Sequence, residues 1–150
     1  MKIGNIEIKG YAALAPMAGV ADRAMRELCR YYGAAFTVGE LTSSRGVVLN
    51  DKKSAALLTA SDKERPFGSQ LFGNNPEIMA EAARAALRFN PDFIDINMGC
   101  PAPKITSSGA GSKLLLDPPL CGQIVAAARK ALGDDTPLTV KMRIGWDADH

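Results

Sequence analysis

Cys100 stands in the run Asp95-Ile96-Asn97-Met98-Gly99-Cys100-Pro101. A cysteine held between Gly and Pro belongs on a loop. Its thiol, with a reference pKa of about 8.5, is mostly protonated at neutral pH and can donate a proton. The competing fate of a free cysteine is to be a small buried hydrophobe. Cys29 and Cys121 lie on helical stretches and read as that kind. Lys141-Met142-Arg143 places two cations at alternate positions at the end of an apolar run. Lys is rare inside a sheet without a partner, so Lys141 suits an anion or an electron-rich ring. Gln70 offers both a donor and an acceptor, which suits the edge of a heterocycle. Glu40 can pair with a basic group. Gly109-Ala110-Gly111-Ser112-Lys113 lacks Walker spacing and reads as a tight turn.

The elements that must position these residues follow from periodicity. Apolar runs at residues 11–15, 35–38, 67–71, 93–96 and 138–142 each have the length of a buried strand. Between them, Asp22 caps a helix over residues 23–32 that Gly33 ends. Asn75-Pro76 opens a second helix that reaches about residue 89. A third runs over residues 119–132, ended by Gly133. Met25, Leu28, Cys29 and Tyr32 share one face of the first helix, which predicts their burial, with Arg23, Arg26 and Arg30 off that face. Residues 50–65 read as a connection with a short helix.

The order β-α-β-α implies a parallel sheet with helices outside. Five strands cannot close an eight-stranded barrel, and no G-x-G-x-x-G follows the first strand, so a dinucleotide fold lacks support. The fold expected is α/β: about five β/α units, the N-terminal portion of a TIM (β/α)8 barrel. In such barrels, function gathers at the C-terminal ends of the strands. Ala15-Pro16-Met17-Ala18-Gly19, Glu40, Gln70, Asn97 with Cys100, and Lys141 with Arg143 all fall there. Alternation sets Asp95 with Asn97, and Lys141 with Arg143, opposite Ile94, Ile96, Val140 and Met142. The polar set is expected to face the barrel interior and the aliphatic set the helices.

Composition narrows the class. The chain has 150 residues, 47% hydrophobic, 23% charged and a net charge of +2, which excludes a disordered tail. No apolar run approaches the length of a membrane helix. Three widely spaced cysteines without C-x-x-C, and an N-terminus without a secretory signal, predict a reduced, cytoplasmic setting. The one histidine is His150, so neither a His-based triad nor a multi-His metal site is expected.

Taken in order, Ala15-Pro16-Met17-Ala18-Gly19-Val20, Gln70-Leu71-Phe72-Gly73, the Asp95–Pro101 run, Gly109-Ala110-Gly111-Ser112 and Val140-Lys141-Met142-Arg143-Ile144-Gly145-Trp146 resemble the tRNA-dihydrouridine synthase family. The resemblance covers essentially the whole chain and is closest to the N-terminal half of the bacterial B-type subfamily. It implies residues 1–150 as the first part of an FMN-binding (β/α)8 catalytic domain, with the rest of the barrel and a helical tRNA-binding domain outside this sequence. The activity implied is reduction of the C5=C6 bond of uridine in tRNA by FMN recharged with NADPH, with no metal and no membrane. By the same resemblance, Pro16, Met17 and Ala18 line the flavin, and Gln70 and Lys141 hydrogen-bond to it. Cys100 corresponds to the proton donor, while Asn97 and Arg143 lie near the substrate. The nearest rival is another FMN barrel that acts on a free pyrimidine. A rival of another class is a catalytically silent RNA-binding or scaffold piece. On its own, the 150-residue stretch is expected to bind FMN weakly and to be inactive.

Overall fold

The computed structural model describes residues 1–147, so His150 lies outside the described residues. A short antiparallel hairpin, β1 (Lys2–Ile3) and β2 (Ile6–Glu7), opens the chain. Helix α1 (Arg23–Tyr31) follows, with Asp22 accepting from the Met25 N–H as its cap. Then come β3 (Thr37–Val38), β4 (Thr42–Ser43), α2 (Ser44–Val48) and α3 (Lys52–Leu58). The remainder is β5 (Phe67–Phe72), α4 (Pro76–Ala86), β6 (Phe93–Met98), α5 (Pro103–Thr106), α6 (Pro118–Leu132) and β7 (Leu138–Met142).

Every pairing in the main sheet is parallel, in the order β3-β5-β6-β7, with β4 also pairing β5. Parallel strands need long crossovers, and α4 and α6 supply them. Both helices pack on one face of the sheet. Met79, Ala82, Ala83 and Ala86 of α4 meet Ile124 and Ala128 of α6 over Ile94, Ile96 and Leu71, all fully buried. Small alanines on α4 let the two helices approach closely, and the branched side chains of the strands fill the space beneath. The sheet is the curled first part of a (β/α)8 barrel.

Three sequence-based expectations need correction. Residues 11–15 do not form a regular strand. Leu14 makes a single parallel bridge to Thr37, and Tyr11 and Ala15 are exposed. This apolar segment is extended but only one residue of it joins the ladder. The face assigned to α1 is also wrong. Leu28 and Tyr32 are exposed and Met25 and Cys29 only half-buried, whereas Arg26 is 3% exposed. Arg26 Nε donates to Glu64, Nη1 to the Ala21 carbonyl at 2.8 Å and Nη2 to the Thr59 carbonyl at 3.1 Å. Its guanidinium also lies 4.8 Å from the centre of the Phe67 ring. A buried cation with this many partners outcompetes the apolar stripe for the inner position. A third outward residue, Met142, was expected under the helices and is instead 58% exposed at the end of β7.

The hairpin and the short elements α2, β4 and α5 carry too few residues for periodicity to reveal them. Gly4 of the hairpin has φ +57° and abuts Pro137 just ahead of β7, where a Cβ would sit 2.6 Å from Pro137 Cγ. No described helix is long and apolar enough to cross a membrane.

Candidate active site at the C-terminal end of the sheet

Register decides which side chains meet. Gln70 of β5 lies opposite Asp95 of β6, and Asn97 of β6 opposite Lys141 of β7. Because side chains alternate, Gln70, Asp95 and Asn97 share the face away from α4 and α6. All three are buried, at 1%, 5% and 7% exposure.

They form one directional chain of hydrogen bonds. Thr139 Oγ1 donates to Asp95 Oδ1 at 2.6 Å, and Gln70 Nε2 donates to Asp95 Oδ2 at 2.6 Å. Asn97 Nδ2 then donates to Gln70 Oε1 at 2.9 Å. Asn97 Oδ1 in turn accepts the backbone N–H groups of Gly99 at 3.2 Å and Cys100 at 2.9 Å. A carboxylate can only accept, so Asp95 fixes the amide of Gln70, and Gln70 fixes that of Asn97. Burial pushes the Asp95 carboxyl above the usual carboxylate range, opposed by the hydrogen bonds from Gln70 and Thr139 and by the charge of Lys141.

The Cys100 loop is held from its other side as well. The Ser112 N–H donates to the Cys100 carbonyl at 2.9 Å. Gly111, at φ +62°, lets the chain pass under that carbonyl, where a Cβ would stand 2.5 Å from the oxygen. The segment 109–112 is therefore a turn that packs on Cys100. Lys113 Nζ lies 5.0 Å from the centre of the Trp146 ring, joining this turn to the segment after β7.

Cys100 is half-buried and opens on a cavity of about 470 Å³. Pro16, Ala18, Asn97, Lys141 and Arg143 also line it, so five of the residues singled out from the sequence meet Cys100 in one place. Met17 and Gln70 stand apart. Met17 is 39% exposed and its carbonyl accepts from the Val20 and Ala21 N–H groups in a turn. Glu40 Oε2 clamps that turn by accepting the Gly19 N–H at 2.6 Å, so its partner is a backbone amide and not a base. Gln70 lies behind Asp95 and Asn97. A second cavity of about 300 Å³, mostly apolar, runs down from Lys141 past Asp95 and Thr139 to Phe36, Phe93 and Ile3.

Sequence reasoning missed two residues here. Asp95 was recognised only as facing inward, and Thr139 gave no signal at all. Their role comes from cross-strand register. Cys121, by contrast, is structural: its thiol donates to the Leu114 carbonyl at 3.1 Å, and burial with nearby Asp117 raises its pKa. No cluster of metal-ligating side chains exists among the described residues.

A parallel half-barrel with a cysteine loop, two cations and an amide chain at one cavity defines a class, and comparison with known proteins gives its family. Residues 13–150 match the family model described as dihydrouridine synthase, and the chain belongs to that family. It is 43% identical over all 150 residues to tRNA-dihydrouridine synthase B of Shewanella oneidensis. It is 41% identical over the same span to the proteins of that name from Pseudomonas aeruginosa and Vibrio vulnificus. The chain spans about half the length of these curated relatives, 45–46%.

Proposed function

We propose that this chain is the first part of the catalytic barrel of a tRNA-dihydrouridine synthase, an oxidoreductase that saturates the C5=C6 bond of uridine in tRNA. The observation that carries this reading is the anchoring of Cys100. Its backbone is fixed by Asn97 on one side and Ser112 on the other, while its thiol-bearing residue opens on a cavity large enough for a ring.

The cavity suits a flavin. Lys141 and Arg143 offer cations, Asn97 retains an N–H not used by Gln70, and Pro16 and Ala18 give a flat apolar wall. We assign Pro16, Met17, Ala18 and Lys141 to holding FMN, with Gln70 orienting the amide that meets it. Bound FMN, recharged by NADPH, would supply the hydride that goes to uracil C6.

The chain's own residues do the rest. As charge builds at C5 and O4, the Cys100 thiol gives its proton to C5 and is left as a thiolate, later reprotonated by solvent. Asn97 and Arg143 hold the uracil edge, and Lys141 stabilises negative charge at the ring it touches. A base in folded RNA must leave its stack to reach this depth, so the substrate is a flipped nucleotide.

The test uses the full-length enzyme. Cys100→Ala should keep its flavin and still be reduced by NADPH. Its uridine-dependent reoxidation should slow by roughly 10²–10⁴-fold, the scale for a lost general acid. Stopped-flow flavin absorbance with tRNA, and with free uridine in its place, separates the half-reactions and the substrate class. Unimpaired reoxidation of Cys100→Ala by tRNA removes the residue from the mechanism, and equal reactivity toward free uridine removes tRNA as the substrate.

A further inference from the structure

A separate cavity of about 400 Å³ lies at the same end of the sheet, beyond the last residues of β4 and β5, and shares no wall with the Cys100 cavity. Its chemistry is that of an oxyanion receptor. Arg45 and Lys104 both line it, and no Asp or Glu does. Both cations are exposed, and neither has a carboxylate partner among the described residues.

A third group is independent of the two charges. Ser44 lines the same cavity, is 3% exposed, and its hydroxyl has no hydrogen-bond partner among the described residues. A small hydroxyl donor thus stands beside two open cations, a set that suits an acceptor of several hydrogen bonds. Gly73 keeps the position open, because a Cβ there would collide with Ser44 Oγ. The walls are fixed. Asn74 Nδ2 donates to the Ser108 carbonyl at 2.8 Å, tying the two sides together.

The cavity is also coupled in space to the reaction centre. Lys104 sits on α5, the short helix that follows directly after Cys100-Pro101. The segment that carries Lys104 is thus continuous with the Cys100 loop. We propose that this cavity binds a backbone phosphodiester of the RNA substrate, with Arg45 and Lys104 supplying charge and Ser44 a hydroxyl donor. The proposal rests on the reading of the chain as part of a tRNA-modifying enzyme.

The experiment uses full-length flavin-loaded enzyme with Arg45→Gln and Lys104→Gln, singly and combined, and Lys130→Gln, an exposed cation of α6, as the charge-matched control for each single variant. Filter binding to tRNA at several salt concentrations, steady-state kinetics and the flavin-to-protein absorbance ratio are measured. The Kd and KM for tRNA should rise roughly tenfold, and the slope of log K against log salt should fall by roughly 1–2. The kcat, the flavin content and the NADPH half-reaction should match the native enzyme, as should every property of Lys130→Gln. Exchanging the cations, Arg45→Lys with Lys104→Arg, should restore the slope, which a merely misfolded variant could not predict. An unchanged slope and KM in the double Gln variant overturns the subsite while leaving tRNA as substrate. Loss of flavin with unchanged tRNA affinity also overturns it, by giving the cavity to the cofactor's phosphate. A native enzyme that neither binds nor reduces tRNA overturns the functional reading, and the subsite with it.

Discussion

The side-chain oxygen of Asn97 accepts the backbone N–H of Cys100 at 2.9 Å, three residues along the same loop. It accepts the Gly99 N–H as well, while the amide nitrogen is committed to Gln70. The residue expected at the substrate is thus also the one that sets the shape of the cysteine loop.

Asn97→Ala should strand two backbone donors and the Gln70 carbonyl at once. An unsatisfied buried group costs about 1–3 kcal/mol, and the part-buried Gly99 and Cys100 N–H groups can turn to water, so the full-length enzyme should lose roughly 2–4 kcal/mol in a urea melt. Asn97→Asp keeps the acceptor and loses only the donor to Gln70, so its loop should stay closer to native. The ordering to measure is tRNA-dependent flavin reoxidation: native, then Asp, then Ala. Ala equal to native would make the anchor irrelevant to the chemistry.

Asp95 allows a prediction in pH. Burial raises its pKa in the folded state, so the folded protein binds this proton more tightly than the unfolded chain does. Stability contributed by the group is therefore largest below the unfolded Asp value of about 3.9 and declines as pH rises through the interval up to the folded value. In Asp95→Asn that decline should vanish. The Asn can still accept from Gln70 and donate to Thr139, so its stability near neutrality should lie within about 1 kcal/mol of native. Asp95→Ala should cost about 2–3 kcal/mol, because Gln70 and Thr139 both lose their partner. Urea melts at a series of pH values check all three.

The Arg26–Glu64 pair is 3% and 0% exposed, far from the surface pairs whose loss is usually silent. Glu64 also accepts the Ser61 N–H at 2.5 Å through its other oxygen. Glu64→Leu or Arg26→Met alone should destabilise by about 3–5 kcal/mol, leaving a buried charge behind. Replacing both, Arg26→Met with Glu64→Leu, should cost less than the sum of the singles. Additive losses in thermal melts would show that the two act independently.

Much of the fold was legible because its signals are local. Asp22 and Asn75 cap helices through the N–H three residues on, a relation visible in spacing alone, while the Asp117 cap of α6 was passed over. The strands at 67–72, 93–98 and 138–142 stood out as short apolar runs between those helices. Arg26 was misjudged because its partner, Glu64, is 38 residues away and nothing near Arg26 announces it. The amide chain was half-legible. Alternation put Asp95 and Asn97 on one face, but their link through Gln70 depends on parallel register, which no single strand encodes. Residues 11–15 misled because apolar content alone does not tell a paired strand from an extended segment with one bridge.

Several anchors of the first β/α unit converge on one later stretch, residues 59–67. Leu14 bridges Thr37, whose N–H donates to the Pro66 carbonyl and whose hydroxyl donates to the Glu64 carbonyl. Arg26 of α1 reaches Thr59, Glu64 and the ring of Phe67. During synthesis the amino-terminal unit can pair with residues 35–38 as they emerge, but it lacks these later anchors until the chain has been made as far as Phe67. Its contacts are distant in sequence, and such contacts form late because loop closure must come first. The first unit to leave the ribosome is not the first to be settled: β5, the third strand of the main sheet in chain order, is the frame onto which it folds back.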